Sequence, residues 1–263
     1  MDPNYQGSLA FFRLTKFVRE YQTERSADLH FTITLKGNYK AISTLGGRAG
    51  LNKFEFVGGF LLNFCLLTPV KFGLGKYQLD VNPDLAELCS FYDQFYKDYQ
   101  LGPVITPDLL KDKQNLVLNL DGKAVAALTL EDPLDFRKTV VVHFPAAYKV
   151  ILSIMHLLST TGLIARPPKE GDTLKILYIK YAVHDNNRVA LKKLIKYARS
   201  YACKSGYHFL CLGLDERDPL ISFSRRLPGL KVKLLSYISS LQGSEQYCKD
   251  IRKGIIFEDH ALT

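Results

Sequence analysis

The chain has 263 residues, 47% of them hydrophobic, enough for one large domain or two small ones around an ordinary core and too many for a disordered tail protein. Its 35 Lys and Arg against 26 Asp and Glu give a formal net charge of +9, which favours anionic partners such as phosphorylated cofactors, nucleic acid or acidic lipid. The five cysteines (Cys65, Cys89, Cys203, Cys211, Cys248) show neither CxxC nor Cys/His ligand spacing, which indicates no metal site and no disulfide framework and fits reduced thiols in a cytoplasm.

From Leu9 to Glu24 the apolar positions Ala10, Leu14, Phe17, Val18 and Tyr21 recur at helical spacing, which predicts an amphipathic helix. LHFTITL alternates as a strand, Gly37 and Asn38 punctuate, and a short helix from Tyr39 to Thr44 ends at Gly46 and Gly47. KFEFVGGFLLNFCLLT reads as two strand-like runs joined near Gly58 and Gly59, and residues 68–83, with Pro69, Gly73, Gly75 and Pro83, read as a connection between two modules. LAELCSFYDQFYKDYQ is an aromatic-rich helix with Phe91, Phe95 and Tyr99 as its core stripe. NLVLNL and KAVAALTLE flank Asp121-Gly122 as a hairpin, and KTVVVHF is a third strand. Pro145 to Thr161 is helical, TLKILYIKYAV is a long strand, and after HDNNR a helix carries Leu191, Leu194, Ile195, Ala198, Tyr201 and Ala202 on one stripe. GYHFLCLGL is a strand, DERDPLISFSRRL a short helical segment, and KVKLLSYIS a final strand before a charged tail. No signal-peptide pattern opens the chain. The apolar runs VGGFLLNFCLLTPV and VILSIMHLLSTTGLIA, interrupted by Asn63 and His156, are too short to span a bilayer, so no membrane partner is expected.

The order loop, amphipathic helix, strand, punctuation, short helix, strand occurs at residues 3–67 and again at 184–239, with His30-Phe31 and His208-Phe209 entering corresponding strands. A strand followed by a loop and a helix N-terminus makes a site for phosphate oxygens, because the first four helix amides lack internal partners and the helix dipole puts partial positive charge there. That is the physical content of NYQGSL and of HDNNRV. TLKILYIKYAV precedes the second loop; no strand precedes the first, so a start inside a longer gene is expected.

These residues resemble the GCN5-related N-acetyltransferases (GNAT), and the whole chain resembles a tandem member of that superfamily. PNYQGSLAFFRLTKFVRE is similar to the family's V-x-P-x-Tyr-Arg/Gln-Gly segment and its helix, with Gln6 and Gly7 at matching positions, and Asn38 with Ala41 matches its Asn-x-x-Ala. YAVHDNNRVALKKL resembles the same loop in a second copy, and FLCLGLDERDPL the following strand and turn, with Asp218 in place of the Asn. The resemblance implies an α/β fold of mixed, mostly antiparallel sheets flanked by helices, in two GNAT-like modules: a partial one over 1–75 and a complete one over 76–263. It implies acetyl-CoA or another acyl-CoA as cosubstrate, held by Gln6, Gly7, Ser8 and Asn38 at one site and by Asn186, Asn187, Arg188 and Val189 at the other. An amine of unassigned identity would attack the thioester directly, without a covalent intermediate.

Where many members carry a Tyr seven residues after the Asn, this chain has Leu45 and Arg225, so the catalytic residue is left unassigned, with Glu55, His143, His184 and Asp185 as candidate acids and bases. The missing Tyr and the scarcity of glycine in both loops favour the alternative, a catalytically inactive binding or scaffolding protein on the same fold. Lys192, Lys193, Lys196, Arg199 and Lys204 lie along one helix, but no base-stacking aromatics are interleaved with them, so nucleic acid is not expected as a partner. A second copy of the chain is a candidate partner. GxxxxGK[ST], HExxH and GxSxG are absent, so nucleotide hydrolysis, zinc proteolysis and serine esterase chemistry are not supported.

Overall fold

The computed structural model of the chain describes residues 9–47, 53–69, 73–241, 243 and 245–261. In order these form α1 (Leu9–Glu24), β1 (Leu29–Leu35), α2 (Tyr39–Leu45), β2 (Glu55–Leu66), β3 (Gln78–Asp80), α3 (Leu85–Tyr96), α4 (Pro107–Leu110), β4 (Gln114–Leu120) and β5 (Lys123–Glu131). There follow α5 (Ala146–Thr160), β6 (Ile176–His184), α6 (Arg188–Lys204), β7 (Phe209–Asp215), α7 (Ile221–Arg226), β8 (Gly229–Ser240) and α8 (Glu245–Ile251). The strands lie in the order β1-β8-β2-β7-β6-β5-β4-β3, a mixed and mostly antiparallel sheet flanked by helices. β6 and β7 are a parallel pair, whereas β3, β4, β5 and β6 meander antiparallel.

The chain divides into two compact units. The first comprises the described residues up to Leu61 with Asp215–Arg217 and Val232–Ile256. In it β1 pairs antiparallel with β8, from Leu29 opposite Ser240 to Leu35 opposite Leu234. Asp215 is its polar anchor: the Arg217 guanidinium donates to both carboxylate oxygens, the Ile256 amide donates to one of them, and Arg217 also donates to the Arg252 carbonyl at 2.8 Å. Gly58 and Gly59, expected to separate two strands, sit inside the continuous β2. A methyl group at Gly58 would come within 2.9 Å of the Arg217 guanidinium, and one at Gly59 within 2.6 Å of the Glu216 carboxylate, so these glycines admit close neighbours without breaking the strand.

The second unit comprises Leu62–Leu214, Asp218–Lys231 and Phe257 onward. Its strands alternate with period two, which sorts their apolar residues onto two faces. Leu116 and Leu118 of β4, Leu177 and Ile179 of β6, and Leu210 and Leu212 of β7 pack with Leu191, Leu194, Ile195 and Ala198 of α6. Val117, Ala127, Tyr181 and Val183 face the other way and pack with Leu88, Tyr92 and Tyr96 of α3. Each large side chain buried in this way contributes about 1.5–3 kcal/mol. Spacing of i, i+4 and i+8 puts Leu88, Tyr92 and Tyr96 on the buried stripe of α3, so the expected stripe of Phe91, Phe95 and Tyr99 is corrected to its half-buried margin. The tyrosines tolerate burial because their hydroxyls are bonded: Tyr92 to Thr129 Oγ1 at 2.8 Å, which donates to Asn115 Oδ1, and Tyr96 to the Ala182 carbonyl and amide.

The Asp121-Gly122 hairpin forms with both residues at positive φ, 52° and 79°. KTVVVHF does not become a strand: it contributes one bridge, Val140 to Thr173, and leaves Val142 exposed, because no strand lies beside it to bury its β-branched run. β3 and the four-residue α4 escaped the sequence reading; β3 falls in the stretch taken as a connection, and its partner β4 is distant in sequence.

Candidate active site

β6 and β7 pair in parallel from Ile176 opposite Phe209 to Ile179 opposite Leu212, and no further. β6 runs on to His184 because its other edge stays paired with β5, where Ala126 faces His184. The β5–β6 ladder shifts between Thr129 opposite Tyr181 and Leu130 opposite Ile179, leaving Lys180 as the extra residue of a bulge. A strand held on one side and released on the other offers backbone groups to an extended ligand chain, although here the Ala182 amide and carbonyl are already bonded to the Tyr96 hydroxyl.

The chain then turns through Asn186, whose φ of 48° is a conformation asparagine tolerates, into α6. Asn187 caps the helix, its Oδ1 accepting from the Ala190 amide at 3.1 Å, and it meets the Tyr77 hydroxyl. Lys193 donates to the Leu74 carbonyl at 2.9 Å and lies 5.1 Å above the Tyr77 ring, so the 74–77 segment is fastened beside the first turns of α6. The Arg188 and Val189 amides have no hydrogen-bond partner among the described residues. With the dipole of a 17-residue helix behind them, they are oriented donors for an anion.

Residues 257–261 pack against the released ends of the parallel pair. The Phe257 amide bonds the Gln100 carbonyl, and its ring stacks on Tyr181 at 5.8 Å. Asp259 Oδ2 receives the Lys180 ammonium at 2.6 Å; Glu131 Oε2 receives it at the same distance, and Glu131 is bonded to Lys113 as well. Burial works against the charge on Lys180, but Asp259 and Glu131 outweigh it and hold its pKa above the ordinary value. Burial likewise opposes ionisation of Glu131, and Lys113 and Lys180 reverse it. His260 lies flush on β7: a methyl at Gly213 would sit 1.8 Å from its Cδ2, and burial lowers the imidazole pKa to about 4. Glu258, between these contacts, is pushed up to about 7 by burial and then by the Asp259 charge. A carboxyl titrating near neutrality is matched to taking a proton from an amine.

Of the residues picked from sequence, Asn186, Asn187, Arg188 and Val189 stand together at the start of α6. Asn38 caps α2 in the first unit, its Oδ1 accepting from Ala41 N at 3.2 Å, and is solvent-exposed. Gln6, Gly7 and Ser8 lie outside the described residues. Asp218 bonds the Leu220 amide and receives the Tyr99 hydroxyl. Glu55 is paired with Arg252, and His143 with Glu170 at 3.1 Å on the surface. His184, at the end of β6, has its pKa lowered by burial and then by Arg188. The basic stripe of α6 is drawn into local contacts: Arg199 is buried and donates twice to the Leu66 carbonyl, Lys193 is fastened as above, and Lys192 lies over Phe223. Lys180, Glu258, Asp259 and His260 were missed. Their signal is a pairing shift and a contact across about eighty residues, which periodicity does not carry. Among the described residues no group of three or more His, Cys, Asp or Glu could hold a metal ion.

No protein-family model matches the chain, and no curated protein matches it in sequence. Solved structures do. Saccharomyces cerevisiae N-myristoyltransferase with bound myristoyl-CoA superposes with a TM-score of 0.52 at 10% identity, over 86% of this chain and 54% of its own. The chain has the GNAT fold. Two proteins titled GCN5-related N-acetyltransferases overlay more loosely on this fold. One is from Anabaena variabilis, with a TM-score of 0.45 and 11% identity over 92% of this chain and 53% of that one; the other is from Kribbella flavida, at 0.48 and 10% over 85% and 73%. The chain spans about half the length of the yeast and Anabaena proteins. No helix among the described residues is long and apolar enough to cross a membrane.

Proposed function

We propose that the protein is an acyl-CoA-dependent N-acyltransferase whose donor lies across the β6/β7 opening with its diphosphate at the start of α6. The observation that carries this is the release of the parallel pair beyond Ile179 and Leu212, directly before a helix whose Arg188 and Val189 amides have no hydrogen-bond partner among the described residues. The pantetheine arm lies along the released end of β6, displacing the Tyr96 hydroxyl where it pairs with Ala182, and the Arg188 guanidinium adds a charge-assisted contact to phosphate. The amine nitrogen attacks the thioester carbonyl, the carbon–sulfur bond breaks, and coenzyme A leaves as its thiol. Glu258 takes the proton that the amine loses and returns it to the departing sulfur, which is how coenzyme A leaves as the thiol. Acetyl-CoA is the simplest donor, and the GNAT-fold N-myristoyltransferase binds a long-chain one, so the chain length of the acyl group is part of the question.

The two-module reading, 1–75 and 76–263, belongs to the same proposal. It is supported by matching series: α1, β1, α2 and β2 have 16, 7, 7 and 12 residues, and α6, β7, α7 and β8 have 17, 7, 6 and 12. Five free thiols support the cytoplasmic reading. One observation favours the second reading, a binding or scaffolding protein without chemistry: residues 257–261 already lie against the released ends of β6 and β7, Phe257 on Tyr181 and His260 against Gly213.

Thermal melting with acetyl-, octanoyl- and myristoyl-CoA separates these readings, followed by thiol release with a panel of amines and peptides. A donor at one hundred times its dissociation constant adds about 2.7 kcal/mol of stability. Stabilisation with thiol release supports the enzyme; stabilisation without turnover supports an inactive protein that still binds the donor; no stabilisation by any donor refutes the enzyme and leaves the scaffolding protein.

A further inference from the structure

β5 and β6 are antiparallel neighbours that a two-residue turn could join, yet 44 residues, 132–175, connect them. Fifteen of them form α5, AAYKVILSIMHLLST, in which ten residues are Ala, Val, Ile, Leu, Met or Tyr. Such a composition belongs to a helix buried all round. None of its described side chains is buried. At 100° per residue Ala146, Val150, Ile154, Leu157 and Leu158 fall on one stripe, and that stripe is the open one: Val150 is 65%, Ile154 57% and Leu157 69% exposed. Leu163 just beyond the helix and Val142 before it are exposed as well.

The flank of the stripe is basic. Lys149, His156 and Lys169 line a shallow groove beside it, and the one acid there, Glu170, is already bonded to Lys149 at 3.3 Å and to the Phe144 amide. The whole connection, 132–175, carries Arg137, Lys138, Lys149, Arg166, Lys169 and Lys175 against Asp132, Asp135, Glu170 and Asp172, a net +2, with both acids at 132–135 lying before the helix. The stripe from Ala146 to Leu158 is about 18 Å long and roughly 200 Å² in projection. A stable protein pair needs about 800 Å² from each partner with matched shape, so this patch is too small to hold a second copy by itself. A fluid apolar layer under anionic headgroups demands neither area nor fit, and it complements both the aliphatic stripe and its basic flank.

We infer that α5 is an in-plane anchor that docks the protein on an anionic membrane surface, with Val150, Ile154, Leu157 and Leu158 entering the acyl boundary and the lysines at the headgroups. The helix lies on the bilayer and does not cross it. The inference is independent of the proposed acyl transfer.

The test is sedimentation with vesicles of phosphatidylcholine alone and of phosphatidylcholine doped with phosphatidylserine, using the full chain and the exposed-site variant Ile154→Glu/Leu157→Glu, its fold checked by circular dichroism. The expected result is binding to the doped vesicles that weakens with salt and falls about tenfold or more in the double variant. A second variant, Lys149→Glu/Lys169→Glu, should lose the preference for doped vesicles while keeping its melting temperature. No binding to doped vesicles, or binding that both variants retain, overturns the inference. A concentration-dependent dimer that Ile154→Glu/Leu157→Glu abolishes, without vesicle binding, assigns the stripe to a second copy instead and overturns it too.

Discussion

Gly213 and His260 form the tightest fit near the opening, because the imidazole occupies the space a β-carbon would take. Gly213→Ala should therefore eject His260, cost about 1–3 kcal/mol by overpacking, and expose residues 257–261 to proteases; a urea melt with limited proteolysis measures both. Glu258 and His260 of that segment act in opposite directions on stability. His260 titrates near 4 when folded and at 6.5 ordinarily, so the unfolded chain binds the extra proton in that window and stability is lost as pH falls from about 6.5 to about 4. Glu258 titrates near 7 when folded and at 4.5 ordinarily, so the folded chain holds the extra proton and stability falls as pH rises between those values. Glu258→Gln should accordingly be stabilised relative to the parent at pH 8 more than at pH 4, read from urea midpoints across the range. If Glu258 is the base, the same substitution also removes a rate transition near pH 7.

The elements were largely legible, because α1, β1, α2, α3, α5, β6, α6 and β7 each carry a complete periodic pattern bounded by its own caps and turns. Asn38 punctuates the sequence and caps its helix in space, and Asp84, not singled out in the sequence, caps α3 in the same way. KTVVVHF failed for the converse reason: β-branched residues mark a strand only when a neighbouring strand is there to bury them. Half of the candidate site was legible in HDNNRV, a strand-to-helix turn that local patterning does reveal. The other half depends on Lys180 being bulged out and on 257–261 returning to it, and no local pattern encodes either. At α6, Asn187→Ala should cost about 1 kcal/mol in a denaturant melt through the lost cap. It should also loosen Tyr77, detectable as faster amide exchange at 74–77.

Across the whole molecule, the GNAT fold positions the opening, the helix start and the flanking carboxylates, while fold alone leaves the chemistry open. The matching series α1-β1-α2-β2 and α6-β7-α7-β8 gives two helix starts, and that of α6 has its turn and preceding strand among the described residues. The donor is therefore sought there first. The account stands on backbone amides gripping a diphosphate, and proline isolates them: at the first position of a helix it keeps the helix and removes the amide. Asn187, with ψ of 71°, is outside the α region that a following proline disfavours, and the melting temperature of Arg188→Pro checks that the turn survives. Calorimetric titration of acyl-CoA into the parent, Arg188→Ala and Arg188→Pro is the most direct measurement. The account predicts saturable binding that weakens when the guanidinium is lost and weakens further, by about tenfold, when the amide goes with it. Binding that is equal in Arg188→Ala and Arg188→Pro, or absent from the parent, would contradict it.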